Sequence, residues 1–476
     1  MTFKKQLQIT GWIHKLLKRF IGNKSFYRKV LIVTIPIMLQ NAITNFVNML
    51  DNIMVGQIGT EQMTGVSIVN QLIFVFNLCI FGGMSGPGIF TAQFYGKQDH
   101  EGVRHTFRFK LLVAIIVSIL GFGVLSIWGE ELIQLYLSGE TAVVDADLTL
   151  KYAKDYLAVA VWGLLPFALS NVYSTTMRES MDTMKPMLAG MIAVIVNLVF
   201  NWILIYGKFG LPALGVAGAA IATVMSRFVE VGILALWTHK NPARYPYIKG
   251  VYSSLEIPSA LMHEIIRKGL PLLFNETLWS MGIATINQIY SVRGLDVMAA
   301  SNICMTLVNL GNVVFLAMGN SIAILIGQRL GAGQIEEAVD EAPKMIAFSM
   351  FCGLITGGLT ILLARAFPMI YNTNEEVRIL ATSMIIVFAA YFPVGAFCNG
   401  TYFTLRSGGR TVITFLFDSA YVWSVQIPVA LAVTYLTDLP IIPIIAIVQG
   451  TMTLKIIIGS ILVKKRIWVR NMVAEK

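Results

Sequence analysis

The stretch that decides the fold runs from Met63 to Phe90, MTGVSIVNQLIFVFNLCIFGGMSGPGIF, and it contains no Asp, Glu, Lys or Arg. A helix rises about 1.5 Å per residue, so about 20 mostly apolar residues cross a hydrocarbon core about 30 Å thick. Within lipid, only helices and closed barrels pair all of their backbone groups, and the alternating period of a barrel strand is missing from this sequence. The stretch therefore predicts a transmembrane α-helix.

The same composition extends over the whole chain. Hydrophobic residues make up 56% of the 476 residues and charged residues 13%, whereas a soluble domain carries about 25% charge. We therefore predict an all-α integral membrane protein with twelve transmembrane helices. The predicted spans are 30–53, 63–90, 108–128, 152–176, 187–206, 213–237, 269–292, 298–326, 345–364, 379–404, 412–435 and 441–463.

The basic residues predict the orientation in the membrane. A net charge of +10 is also found in nucleic-acid-binding proteins, but these Lys and Arg residues flank apolar spans, where they act as orientation signals. With the N-terminus in the cytoplasm, 28 of the 36 Lys and Arg fall in cytoplasmic segments or at their edges, and 6 in external loops. We expect a multi-pass protein of the cell (plasma) membrane with both termini cytoplasmic, whose partners include the lipid bilayer and no nucleic acid.

Residues 1–29 form a basic amphipathic N-terminal segment. Eight Lys and Arg are interleaved with large apolar side chains, the composition of a helix lying on the anionic cytoplasmic leaflet. The apolar residues are Trp12, Ile13, Leu16, Leu17, Phe20 and Ile21.

An internal repeat predicts the domain organisation. A proline in the first half is followed by Gly, Gln and Gly at the same three intervals as a proline in the second half. We therefore predict two six-helix copies, 30–238 and 269–463, with a cytoplasmic connector at 239–268 and a cytoplasmic tail at 464–476. An even number of spans leaves both copies in one orientation, as in transporters with parallel repeats. The matched residues are Pro36, Gly59, Gln93 and Gly96, and Pro271, Gly294, Gln328 and Gly331.

Several strings in both halves resemble the multidrug and toxin extrusion (MATE) family. The resemblance implies a two-lobed, V-shaped bundle around a central cavity. It also implies an antiporter that exports small amphipathic, often cationic compounds in exchange for protons or sodium ions, with no other cofactor. We expect a monomer. The strings are Pro36 with Leu50–Gly56, Gln93–Gly96, Asn197–Gly210, Gly218–Thr223 and, in the second half, Gly327–Gly331.

Asp51 is the first candidate for ion coupling. The resemblance assigns to it the family's first-helix acid, 15 residues after a helix-bending proline that is matched here by Pro36. An ionisable residue within the membrane is costly and calls for a functional explanation. Because burial disfavours the charged form, such a carboxyl group can take up and release a proton. The alternative is an aspartate at a helix end that simply reaches external water.

Asn197, Asn201 and Thr223 are the proposed companions of Asp51. The two asparagines are four residues apart and so share one helix face. Their amide oxygens can accept from a protonated carboxyl group or coordinate a hard cation, and their NH₂ groups can hold the anion. The alternative is a set of hydrogen bonds that merely ties helices together.

Two further pairs of charged residues fall inside predicted spans. Glu276 and Asp418 lie about 10 Å into the membrane by helix rise, so they are predicted to share an acidic site for a sodium ion or a drug cation. The alternative is a structural pair satisfied by Asn275 or Trp279. Arg227 and Glu230, three residues apart, are predicted to neutralise each other within one helix.

Other functional classes lack their motifs in this sequence. There is no glycine-rich phosphate loop ending in Lys-Ser or Lys-Thr, no metal-ligand spacing among the five His, and no catalytic nucleophile arrangement,. We therefore predict a cation-coupled antiporter, not an enzyme, with no catalytic or metal site. The alternatives are a flippase for lipid-linked precursors or polysaccharides, whose cavity should be ringed by cationic residues, and a membrane-embedded enzyme or channel.

Overall fold

The computed structural model of the chain describes residues 19–137, 145–371 and 373–474. Most of the predicted interfacial segment, with Trp12, Ile13, Leu16 and Leu17, lies outside the described residues. Within those residues the regular structure is helical, which confirms the all-α prediction. The α-helices are α1 Lys24–Gly56, α2 Thr60–Gly96, α3 His100–Ile127, α4 Gly129–Leu137, α5 Ala146–Ala160, α6 Leu164–Glu179, α7 Met184–Tyr206, α8 Gly215–Lys240, α9 Ser259–Ser291, α10 Leu295–Gly331, α11 Ile335–Leu363, α12 Glu375–Ala390, α13 Phe392–Ser407, α14 Thr411–Phe415, α15 Ile427–Leu436, α16 Ile441–Gly450 and α17 Met452–Lys464.

The number of helices able to cross a membrane is slightly smaller than predicted. Within the described residues, 10 helices are long and apolar enough, or 11 if α12 and α13, which meet at an angle of 46°, form one span. Each predicted span overlaps a helix or a consecutive run of helices. The helix that is long enough but not apolar enough is α9, which contains the predicted span 269–292. Its middle carries Asn275, Glu276 and Thr277 in succession, and these polar residues lower its mean hydropathy.

Polar caps and irregular turns mark where the helices begin and where they are interrupted. Asp99, Asp145 and Asn374 accept hydrogen bonds from backbone N–H groups in the first turns of α3, α5 and α12, as N-cap residues do. A 3₁₀ turn at Val161–Gly163 separates α5 from α6. Between α14 and α15, the turns Leu416–Ala420 and Val422–Gln426 have π-helical geometry, which is rare and concentrated at functional sites.

The chain divides into two compact units. One contains Leu39–Thr91 and Asp99–Gly269. In this unit part of the predicted connector is fixed to α3 by the guanidinium of Arg108. This group donates to the carbonyls of Gly250, Val251 and Glu256 at 2.9, 2.9 and 3.0 Å. The connector is therefore an ordered part of the unit and not a loose linker.

The other unit contains the described residues of Met1–Met38, Ala92–Gln98 and Leu270–Lys476. Here the predicted tail is anchored: the Trp468 side chain is 1% exposed. The amide of buried Gln93 donates to the carbonyls of Ser407 and Arg470 at 2.9 and 3.2 Å, and its oxygen accepts from Met472 N at 2.7 Å. The described part of the tail is therefore a packed element that sequence patterning did not reveal.

Two glycines at matching repeat positions pack reciprocally within this second unit. A Cβ on Gly96 would collide with the backbone of Gln328, and a Cβ on Gly331 would collide with the backbone of Gln93. Only glycine allows helices to approach this closely.

Candidate functional site

Asp51 lies in a cluster of amide groups within the first of these units. It is on α1, and Asn197 and Asn201 present the same face of α7. Asn201 Nδ2 donates to Asp51 Oδ1 at 2.6 Å, and the Asn201 side chain is 1% exposed. The short distance is typical of a hydrogen bond to a charged acceptor, so the carboxylate has a specific, buried donor.

Asn197 completes the cluster and joins it to α8. With its amide oriented so that both ends have partners, Nδ2 lies 2.9 and 3.1 Å from the two oxygens of Asp51. Its Oδ1 then accepts from Thr223 Oγ1 at 3.3 Å. Asp51, Asn197, Asn201 and Thr223, from three helices, therefore form one connected group.

A small cavity of about 60 Å³ borders this group, lined by Asp51, Asn197, Thr223, Arg227 and Glu230 among others. Drug-sized ligands occupy pockets of about 300–1,000 Å³, whereas one water needs only about 10–15 Å³ of such volume. The cavity therefore has room for a small ion with water and none for a drug molecule.

The charges around this cavity favour a cation. Arg227 Nη1 lies 3.1 Å from Glu230 Oε2, which confirms the predicted pairing within α8. Glu230 is paired with Arg227 and is also acted on by the guanidinium of Arg178. Asp51 has amide donors but no directly paired cation among the described residues, so it is the carboxylate that an added cation would neutralise. In the sequence analysis the Arg227–Glu230 pair is treated as separate from Asp51. Because Thr223, Arg227 and Glu230 share one helix face by their spacing, the position of Thr223 beside Asp51 could have predicted that this pair lies near Asp51 as well.

The second predicted site lies in the other unit. Glu276 and Asp418 are linked by two polar side chains between them. Tyr402 Oη donates to Glu276 Oε1 at 2.9 Å, while Asn275 Nδ2 lies 3.2 Å from Asp418 Oδ2 and 3.3 Å from Tyr402 Oη. The structure therefore brings the two carboxylates into one network, and their role in transport stays a prediction.

Lys455 adds a positive charge to this network. Its Nζ lies 3.0 Å from Asp418 Oδ1, and its side chain is 5% exposed. The ammonium group also lies 4.8 Å from the ring centre of Phe417 and 5.5 Å from that of Tyr421. Sequence reasoning counted Lys455 as a membrane charge but did not pair it, because 37 residues separate it from Asp418.

A third buried ion pair was missed altogether. Lys110 of α3 is 0% exposed, and its Nζ lies 2.5 Å from Glu179 Oε2 at the end of α6. The hydroxyls of Thr175 and Thr176 accept from the same ammonium at 3.2 Å. The sequence count assigned Lys110 to the cytoplasmic edge as an orientation charge, but the side chain is enclosed within the unit.

Comparison with known proteins gives a consistent picture. The MatE family model matches residues 36–203 and 271–432, one segment in each predicted half. The probable multidrug resistance protein NorM of Thermotoga maritima is 26% identical over 88% of both chains. The multidrug resistance protein MdtK of Edwardsiella ictaluri is 25% identical over 76% of this chain and 78% of its own.

Solved structures show the same fold. An outward-facing multidrug resistance MATE transporter of the MOP superfamily superposes with a TM-score of 0.82 at 19% identity, covering 95% of this chain and 97% of its own. A MATE transporter in a bent conformation gives a TM-score of 0.82 at 19% identity, covering 95% and 98% of the two chains.

Proposed function

Because the chain belongs to the MATE family, whose members are membrane transporters and not enzymes, we propose that it is a cation-coupled antiporter. It exports small amphipathic, often cationic compounds by alternating access, in exchange for protons or sodium ions. The names of its relatives, which are multidrug resistance proteins, support this choice of substrate class over a flippase for lipid-linked precursors.

One observation carries the proposal: a membrane carboxylate held by two amides beside a small acidic cavity. Asp51 Oδ1 accepts a hydrogen bond from Asn201 Nδ2 at 2.6 Å. Among the described residues, no donor lies within hydrogen-bond distance of Asn201 Oδ1. That oxygen is available to accept from a protonated Asp51 or to coordinate a sodium ion, since hard cations take oxygen ligands. The same four side chains therefore serve either coupling ion.

Ion binding at Asp51 drives export only if ion and substrate favour different conformations, because a ligand that binds two states equally shifts neither. In the proposed cycle, the substrate binds the inward-open state, and an external cation neutralises Asp51 and favours its release. For an uncharged substrate, one charge crossing a potential of 100 mV supplies about 2.3 kcal/mol, which at about 1.4 kcal/mol per factor of ten sustains a substrate gradient of about 40-fold. For a monovalent cationic substrate exchanged one for one, no net charge crosses the membrane, so the concentration gradient of the coupling ion is the driving force.

Dye transport in everted membrane vesicles tests the coupling. A fluorescent cationic dye is added outside, and a pH gradient without sodium or a sodium gradient at constant pH is imposed separately. We expect one of the two gradients to drive dye accumulation and its collapse by the matching ionophore to release the dye. Accumulation that responds to neither gradient would contradict the antiport mechanism.

The proposed orientation, with both termini in the cytoplasm, makes a prediction of its own. Reporter fusions after Gly59, Gly139 and Asn374 should report an external location, and fusions after Gly96 and Pro246 a cytoplasmic one, because Lys and Arg are retained inside. Alkaline phosphatase and green fluorescent protein fusions measure the two sides. A cytoplasmic signal after Gly139 would change the number of preceding spans by an odd number.

A further inference from the structure

Lys455 gives Asp418 a directly paired cation, which Asp51 lacks among the described residues. Its ammonium, Asp418 and Glu276 belong to one chain of contacts, and the guanidinium of Arg406 acts on Glu276 through space. Asp418 therefore has an ammonium in direct contact. Among the described residues no ammonium or guanidinium lies within ion-pair distance of Asp51, whose contacts are the amides of Asn197 and Asn201, so Asp51 is the carboxylate that can take an added cation.

The contacts of Lys455 are those expected of a resident cation. A lysine within the membrane is costly unless it is paired, and this ammonium has a carboxylate oxygen at 3.0 Å and two aromatic rings at 4.8 and 5.5 Å. A lysine ammonium is a compact point charge. The other Asp418 oxygen accepts a hydrogen bond from Asn275 Nδ2 at 3.2 Å, so both oxygens of this carboxylate already have partners.

We propose that Lys455 is a specificity-determining residue: its ammonium is a tethered cation that occupies the position on Asp418 where a free sodium ion would otherwise bind. This restricts inorganic-ion coupling to the Asp51 cavity. The assignment rests on the proposed antiport function. It predicts that removing the ammonium creates a sodium site that the natural chain lacks.

Sodium binding to the purified full-length protein in nanodiscs tests the assignment, with ²²Na⁺ as the probe. The measurements use an Asp51→Asn background, which removes the carboxylate of the first site. In this background Lys455→Met should raise the amount of bound sodium by about tenfold or more, because Asp418 is left as a partly buried carboxylate without its partner, a costly state that a sodium ion relieves. Adding Asp418→Asn should abolish the gain, and Lys455→Arg, which keeps the charge, should show none.

The matched control is Lys464→Met, which removes an exposed lysine from the last turn of the same helix and should leave sodium binding unchanged. No gain of sodium binding in a monodisperse Lys455→Met protein would overturn the assignment. If Lys455→Met does not fold, the assignment is tested instead by measuring sodium binding to the single variant Asp418→Asn, with Asp51 and Lys455 both present. Unchanged sodium stoichiometry supports a tethered cation, and loss of a bound sodium ion rejects it.

These outcomes are independent of the proposed function itself. The proposal of antiport through the Asp51 site is contradicted if dye transport responds to neither ion gradient, regardless of how much sodium the Lys455→Met protein binds. The role of Lys455 fails if the second network already binds sodium, even when dye transport is ion-driven.

Discussion

Asp51→Asn should reduce gradient-driven dye efflux to the level of membranes without the transporter, at an unchanged amount of folded protein. Asparagine keeps the size and shape of the side chain but replaces one acceptor oxygen with an NH₂ donor and carries no titratable or ion-binding charge. Asn201, which lies 2.6 Å away, can turn its amide to pair with the new side chain. The measurement is the initial rate of dye efflux at equal amounts of transporter in the membrane. The imposed gradient is the one, of protons or of sodium, that drives efflux by the wild type.

Two comparisons separate coupling from folding in this variant. Asp145→Asn makes the same substitution at an exposed N-cap, where asparagine is as good as aspartate, and should leave efflux unchanged. Exchange of labelled for unlabelled substrate, which needs no net ion flux, should persist in Asp51→Asn. Wild-type efflux in that variant would refute the assignment of Asp51.

The helices and the Asp51 cluster could be predicted because their signals are local or are carried by family resemblance. Long apolar stretches mark spans whatever they pack against. The spacing of Asn197 and Asn201 places them on one face, and the resemblance supplied Asp51 and Thr223 from other helices. The structure then supplied what spacing cannot give, namely the 2.6 Å contact and a cavity too small for a drug.

The residues that were missed have partners far away in sequence. Lys110 and Glu179 are 69 residues apart, and Lys455 and Asp418 are 37 apart. A lysine near the end of a span looks the same in the sequence whether it reaches water as an orientation signal or is buried against an acid. The π-helical turns at Leu416–Ala420 and Val422–Gln426 were likewise not predicted from the sequence.

Breaking the Lys110–Glu179 pair should produce the largest loss of stability among the substitutions considered. Lys110→Met removes the ammonium that contacts Glu179, and removal of one partner from a buried pair costs about 3–5 kcal/mol. We expect a marked fall in the yield of monodisperse protein and in its melting temperature in detergent. Fluorescence-detected size-exclusion chromatography after heating measures both.

Lys154→Met is the matched control, because Lys154 Nζ lies 2.6 Å from Glu130 Oε2 in a pair that is 49% and 45% exposed. Both variants therefore lose an ion pair of nearly equal length, but an exposed pair contributes only about 0–1 kcal/mol. The double variant Lys110→Met/Glu179→Leu should recover much of the lost stability, since an apolar replacement of both partners leaves no unpaired charge. Equal stability losses for Lys110→Met and Lys154→Met would mean that burial of the first pair confers no special stabilisation.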